Sequence, residues 1–497
     1  AEILREAEAL VLTKPDDAFD PLSLSHIAKA FVPLMDIDGE EGVLAEVPDG
    51  RKEHDKLLFR LARLLQESGL EGDLQPQGLA HLATLFAKGG QMTQDRRLAA
   101  CLTQAIGRFD AQTLAQYPQA LASIAAALTT AKSTDTALHA TLAAAVPHIQ
   151  PKFLTSKVLV QLADSFRNLD ALAPPQALPT LASLSAEEGW DASTNQWMTQ
   201  LAKDLARLST NVPPGKWTAD HLSRFVWSLQ RGRYQAEAPF LAYVGAVILQ
   251  TPKDQLDSRS CGSLLTYLAS TPGASDTPTT SNMVTHLAEA VVARPPGDTS
   301  WGDMARILSA VLRLGAADSV LFDHVGGMVR DAAGGGVKIY PADSTSLFNS
   351  FALAEHPQPD VLDAVGASIL ENKSEKITPA MVSVLLRALR GAADKGYDNE
   401  KMLDFIIRSL TAVDPLTFNP AHIAAFASQF AELKGGGRGM SRVSELCLAR
   451  APNLFSRQTA RATLTAFAAL DMESDPVFGH LERIARGRAG STAGGAS

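Results

Sequence analysis

One spacing of apolar residues returns eleven times along this 497-residue chain. Anchors stand at 0, +3, +7 and +10, as in Leu159-Leu162-Phe166-Leu169, Met304-Ile307-Val311-Leu314 and Ile423-Phe426-Phe430-Leu433. That spacing puts the anchors on one stripe of an α-helix. The stripes begin at Leu24, Leu79, Leu121, Leu159, Leu222, Cys261, Met304, Ser344, Val382, Ile423 and Ala460, and eight of the ten intervals lie between 37 and 43 residues. A period of this length belongs to units that cannot bury their apolar faces alone and do so by stacking. The fold class read from it is all-α: an α-solenoid of about eleven antiparallel helix pairs with a period of roughly 40 residues. We call the striped helix of each pair the A helix. Its +6 position is usually small (Ala30, Ala127, Ser165, Ser228, Ala310, Ser350, Ala388, Ala466), which lets a neighbouring helix come close.

A second amphipathic segment, the B helix, is expected after each stripe, for example at 54–66, 95–109, 135–149, 237–249, 282–293, 318–332, 359–371, 399–413 and 475–487. Many of these open with Asp, Asn or Pro, as helix starts do. Prolines at Pro151, Pro252, Pro295-Pro296, Pro415 and Pro452 punctuate the return to the next A helix. The domain reading is an N-terminal segment 1–21, a repeat region 22–487 and a Gly/Ser/Ala-rich tail 488–497, expected to be flexible. Two long intervals imply insertions: an acidic loop at 36–50 and a Pro-rich stretch at 171–195. Asp36, Asp38 and Glu40 begin like a calcium loop, but Glu41 and Val47 stand where such a loop needs glycine and glutamate.

Candidate chemistry is sparse. The glycine runs Gly334-Gly335-Gly336 and Gly435-Gly436-Gly437 lack the Gly-Lys-Ser/Thr ending of a phosphate loop and read as turns between helices. Eleven scattered histidines show no metal-ligand spacing, and His26, His81, His221 and His422 read as helix-face or capping residues. Cys101, Cys261 and Cys447 are too dispersed for a disulfide or zinc framework and read as small buried groups. No catalytic residue, cofactor or metal is expected, and no run of 18 apolar residues suggests a membrane span. The first residues, Ala1-Glu2-Ile3, include neither a methionine nor a signal-peptide core.

The strongest functional candidates are cations. At +8 or +9 of the A helices stand Lys88, Arg167, Arg231, Arg313 and Arg390, while Arg224 and Arg306 share +2. Equivalent positions of a solenoid form a line, and a line of guanidiniums can grip the phosphates of one RNA strand. The competing reading is structural, because the helix dipole and free carbonyls also favour cations at a helix C-terminus. Trp227 is placed either to stack on a base or to pack between repeats. The net charge is −9, but residues 379–497 carry +3, with Arg438, Arg442, Arg450, Arg457 and Arg461 close together. This segment is a candidate contact for RNA or an acidic protein, against the default of a solvated face. The acidic average disfavours tight nonspecific binding to nucleic acid.

The A-helix frame in 158–170, 221–232, 304–315 and 459–471 resembles the degenerate helical repeats of organellar RNA-associated proteins. These are the FAST-kinase-like and RAP-type proteins and the octotricopeptide proteins of algae. The likeness spans about residues 22–487. It departs from that pattern in having no RAP-like unit after the repeats and no Pro-Pro-Pro-Glu-Trp signature. The resemblance implies a mitochondrial or other organellar location and a non-catalytic scaffold in gene expression. The partners would be RNA, proteins of a large assembly, or both, with a lineage-specific mitochondrial ribosome as one setting. The alternative is a protein-only scaffold or accessory subunit of a respiratory or other organellar complex.

Overall fold

The computed structural model describes residues 2–33, 53–68, 73–133, 135–172, 192–231, 234, 236–316, 319–335, 339–355, 358–371, 378–451 and 454–486; a few of these inside helices, Arg231 among them, are described by backbone alone. Among the described residues there is no strand. The chain forms two compact units, the first running to Gln255 and the second starting at Leu256.

In the first unit the helices are α1 (Glu2–Thr13), α2 (Pro21–Phe31), α3 (Glu53–Ser68), α4 (Pro76–Lys88), α5 (Gln91–Gln94), α6 (Arg96–Gly107), α7 (Ala111–Ala115), α8 (Pro118–Thr130), α9 (Thr136–Ala145), α10 (Ser156–Leu172), α11 (Ala192–Ser209), α12 (Ala219–Arg231) and α13 (Ala238–Gln250). In the second they are α14 (Ser258–Ser270), α15 (Pro278–Val292), α16 (Trp301–Arg313), α17 (Ser319–Gly334), α18 (Pro341–Leu353), α19 (Pro359–Glu371), α20 (Pro379–Ala393), α21 (Glu400–Ala412), α22 (Pro420–Ala431), α23 (Gly437–Leu448), α24 (Arg457–Ala468) and α25 (Pro476–Ala485).

All eleven expected A helices form: α2, α4, α8, α10 and α12, then α14, α16, α18, α20, α22 and α24. Within each unit successive A helices pack on one another. B helices do the same along α3, α6, α9 and α11, and along α15, α17, α19, α21, α23 and α25. Each unit is thus a two-layer stack of helix pairs. The striped residues at 0, +3 and +7 lie between the layers, and from Leu79-Leu82-Phe86 to Ala460-Thr463-Phe467 they are almost wholly buried. Each large one contributes on the order of 1.5–3 kcal/mol by leaving water.

Most A helices start with a feature that the stripe does not reveal; α4, α8 and α18 begin without a side-chain cap. Four residues before the first anchor stands a cap: Asp20, Thr155, Thr218, Asp257, Ser300, Thr378, Asn419 or Ser456. Its side-chain oxygen accepts the backbone N–H three residues on, at 2.6–3.3 Å. One residue earlier an apolar side chain is buried: Phe19, Leu74, Leu154, Trp217, Leu256, Ile339, Phe418 and Phe455. It staples the entering chain to the helix. The ring of Trp217 lies 5.2 Å from Phe225, and that of Phe418 lies 5.7 Å from Phe426. Before the staple, several repeats make a 3-10 turn, as at Pro151–Phe153, Pro214–Lys216 and Pro415–Thr417.

The structure adds to three expectations. The turn expected at Gly435-Gly436-Gly437 forms over Gly435 and Gly436 and leads tightly into a helix that starts at Gly437. Gly435 has φ +78°, Gly437 opens α23, and a Cβ on Gly439 would lie 2.5 Å from the Phe430 ring. Only glycine lets α23 sit against α22 this closely. The 171–195 insertion begins inside α10 and ends inside α11, which is the B helix of its repeat; residues 173–191 lie outside the described residues. The N-terminal segment holds a helix, α1, packed on α3. The acidic insertion at 36–50, the calcium-like start within it and the tail at 488–497 also lie outside the described residues.

Candidate interaction surface

Contacts between successive A helices give each one a forward and a backward edge. The forward edge runs through −3, +1, +5 and +8, and the backward edge through −1, +2, +6 and +9. Ser25 at +1 bonds His81 at +2 of the next helix, 3.2 Å away. Ser156 at −3 meets the Nδ1 of His221 at −1, 3.0 Å away. Asp164 at +5 accepts from Arg224 at +2 and Ser228 at +6, each at 2.5 Å. Thr129 at +8 donates to the carbonyl of Ser165 at +6, 3.1 Å away. The small residues expected at +6 lie on the backward edge and are buried from Ala127 to Ala466. Ala30, in the first A helix, has no A helix behind it and is exposed.

Most of the recurring cations are engaged, Arg224 and Arg390 by this stacking and Arg167, Arg306 and Arg313 within their own helices. Arg224 pairs with Asp164 and, at 3.8 Å, with Asp220. Arg167 reaches the same Asp164 at 3.9 Å, so the structure gathers Arg167 and Arg224 around one carboxylate. The Asp164 hydrogen bond also holds the Arg224 guanidinium above its ordinary pKa. Arg306 pairs with Asp303 at 3.4 Å, and burial, with Asp303 nearby, pushes the Asp343 carboxyl up. Arg313 donates to the Ser309 carbonyl of its own helix at 3.4 Å. Arg390 pairs with Glu432 of the next repeat. Lys88 is exposed at the end of α4 and has a partner of its own. The side chain of Arg231 lies outside the described residues. Trp227 is half-buried and also engaged.

The C-terminal arginines divide in two. Arg438 pairs with Asp404 at 2.8 Å. Arg442 closes the end of α21, donating to the carbonyls of Leu410 at 3.2 Å and Val413 at 3.1 Å while pairing with Glu445 at 2.5 Å. Arg450 donates to the carbonyls of Leu416 and Phe418 in the turn before α22. Arg457 and Arg461 differ: both are exposed on α24, and neither has an ion-pair partner among the described residues.

Several buried titratable groups serve packing. Burial lowers the pKa of His81, His139, His422 and His480, keeping them neutral. His422 stacks on Phe426, with 18° between ring planes. Cys261 and Cys447 are buried, with thiols pushed up to about 12, far from the thiolate a nucleophile needs. Cys101 is only half-buried. The Trp217 indole donates to the Tyr243 hydroxyl at 2.6 Å, and burial raises that phenol to about 12. Among the described residues no three His, Cys, Asp or Glu side chains converge as a metal site, and no helix is long and apolar enough to cross a membrane.

No family model and no curated protein matches the chain. Among solved structures it is similar to a circular tandem repeat protein with novel repeat topology and enhanced subunit contact surfaces, at 11% identity and a TM-score of 0.17, over 94% of this chain and 89% of that one.

Two sets of interface residues escape sequence reasoning based on the stripe. The caps and staples were visible at most repeats as an apolar residue followed by Asp, Ser, Thr or Asn, five and four places before the anchor. The +1 position was visible too, as a column of small residues: Ser25, Ala80, Ala122, Val160, Ser223, Gly262, Ala305, Thr345, Ser383 and Ala424.

Proposed function

We propose that this protein is a non-catalytic helical-repeat scaffold that binds other proteins of a large assembly. One observation carries the preference for protein over RNA. The recurring cations Arg167, Arg224, Arg306 and Arg390 already face carboxylates of their own or the adjacent repeat. A phosphate backbone would have to compete with those partners, and the chain's net charge of −9 adds long-range repulsion. Stacked A helices present broad mixed-polarity faces, which suit protein docking better than a phosphate track. The resemblance of the A helices to organellar repeats makes organellar gene expression, in the mitochondrion first, the proposed setting.

Cross-linking of the natively purified protein tests this reading. An amine-reactive reagent should join exposed A-helix lysines, such as Lys29 and Lys157, to peptides of defined partner proteins. Ultraviolet cross-links to RNA at Arg224, Arg306 and Arg313, with no protein cross-links, would reverse the choice.

A further inference from the structure

The eleventh repeat breaks the rule that the other ten keep. At +1, on the forward edge, ten A helices carry a small or β-branched residue that fits beneath its neighbour, and nine of those ten are buried. In α24 the same position is Arg461, and −3 is Arg457, where six other repeats have proline. The two lie one helical turn apart and therefore on one face. Thr465 and Ala468 complete that edge, and both are exposed. Among the described residues nothing covers it. Everywhere else in its unit such an edge receives an α-helix.

We propose that the forward edge of α24 docks an acidic helical segment of a partner protein, its carboxylates pairing with Arg457 and Arg461. This rests on the protein-scaffold reading above. The shape is an A-helix seat, because +5 and +8 carry the small residues Thr465 and Ala468 on the edge that accepts a helix in earlier repeats. The charge is what two unpaired guanidiniums select, since paired they gain charge-assisted hydrogen bonds. A second copy of this chain is a poor occupant. The backward edge of α2, which would have to fit there, presents Ser23, His26 and Ala30 and no carboxylate. Residues 487–497 contain Arg488 and no acidic side chain, so they do not supply the missing carboxylates.

The test uses the full chain and a fluorescein-labelled amphipathic peptide bearing Glu pairs at i and i+4 beside an alanine-leucine stripe. Anisotropy should report saturable binding. R457E/R461E should weaken it at least tenfold, and replacing the peptide's Glu with Gln should do the same. R259E is the control, because Arg259 is exposed and likewise without an acidic partner among the described residues; it should leave binding within twofold. Circular dichroism should show all variants folded, since every altered residue is exposed. Equal loss in R259E, no loss in R457E/R461E, or no binding to the wild type overturns the proposal. So does a single-stranded RNA that binds the wild type more tightly than the peptide and is lost in R457E/R461E. Partner cross-links that persist in R457E/R461E would refute this docking edge and leave the scaffold reading standing.

Discussion

At the residue scale the clearest constraint is Gly439, whose missing Cβ leaves room for the buried ring of Phe430. Gly439→Ala is expected to cost about 1–3 kcal/mol in urea unfolding, because neither the ring nor the helix can withdraw without opening the core. An unchanged midpoint would mean that α23 does not pack as described. His139 sets a second expectation. It is buried, its Nε2 has no partner, and burial lowers its pKa. A group with a lowered folded pKa binds its proton more readily when unfolded, so stability is lost as pH falls below the unfolded value of about 6.5. The Asp20 carboxyl, lowered by its hydrogen bonds to Ser23, adds a further loss only once pH drops below about 4. The melting temperature should fall between pH 7 and 5, and His139→Gln should flatten that slope. A wild-type slope kept intact in the variant would remove His139 from the account.

At the element scale the repeated caps matter more than any one of them. Asp257→Ala and Asn419→Ala should each cost about 1 kcal/mol, and the two should add, since they cap helices several repeats apart. Coupling between them would indicate a transition that spreads across intervening repeats. Arg442 and Arg457 form a natural contrast. Arg442→Met removes the charge that closes α21 and should cost about 1.5–3 kcal/mol, whereas Arg457→Met should stay within about 0.5 kcal/mol. Equal effects would erase the distinction between the engaged and the open arginines. The helices themselves were legible in the sequence, because a 3.6-residue stripe needs no tertiary information. Helix α23 was not, because three glycines suggest a turn until the Phe430 ring beside them is known. Helix α11 was hidden for a related reason, since it begins within a Pro-rich stretch that reads as a loop.

For the whole molecule, the stacking rule was legible and its use of charge was not. Position within a period says that Arg224 and Arg306 recur, but which carboxylate each meets depends on the neighbouring repeat. Asp164, 60 residues from Arg224, carries no mark in the sequence of the part it plays. The structural reading of the basic positions, set against RNA binding from sequence alone, gains weight from these pairings. The cation that matters for a partner is then the one lacking an acid, and α24 holds two.

The most direct test of this account is a titration of a labelled 20-nucleotide single-stranded RNA with the full chain at several salt concentrations. With Arg167, Arg224, Arg306 and Arg390 already paired with carboxylates, affinity at 150 mM salt should be no tighter than the roughly 10⁻⁶–10⁻⁴ M of nonspecific binding, with a shallow salt slope. Nanomolar binding that steepens as salt falls and collapses on joint replacement of Arg224, Arg306, Arg313 and Arg390 would contradict it.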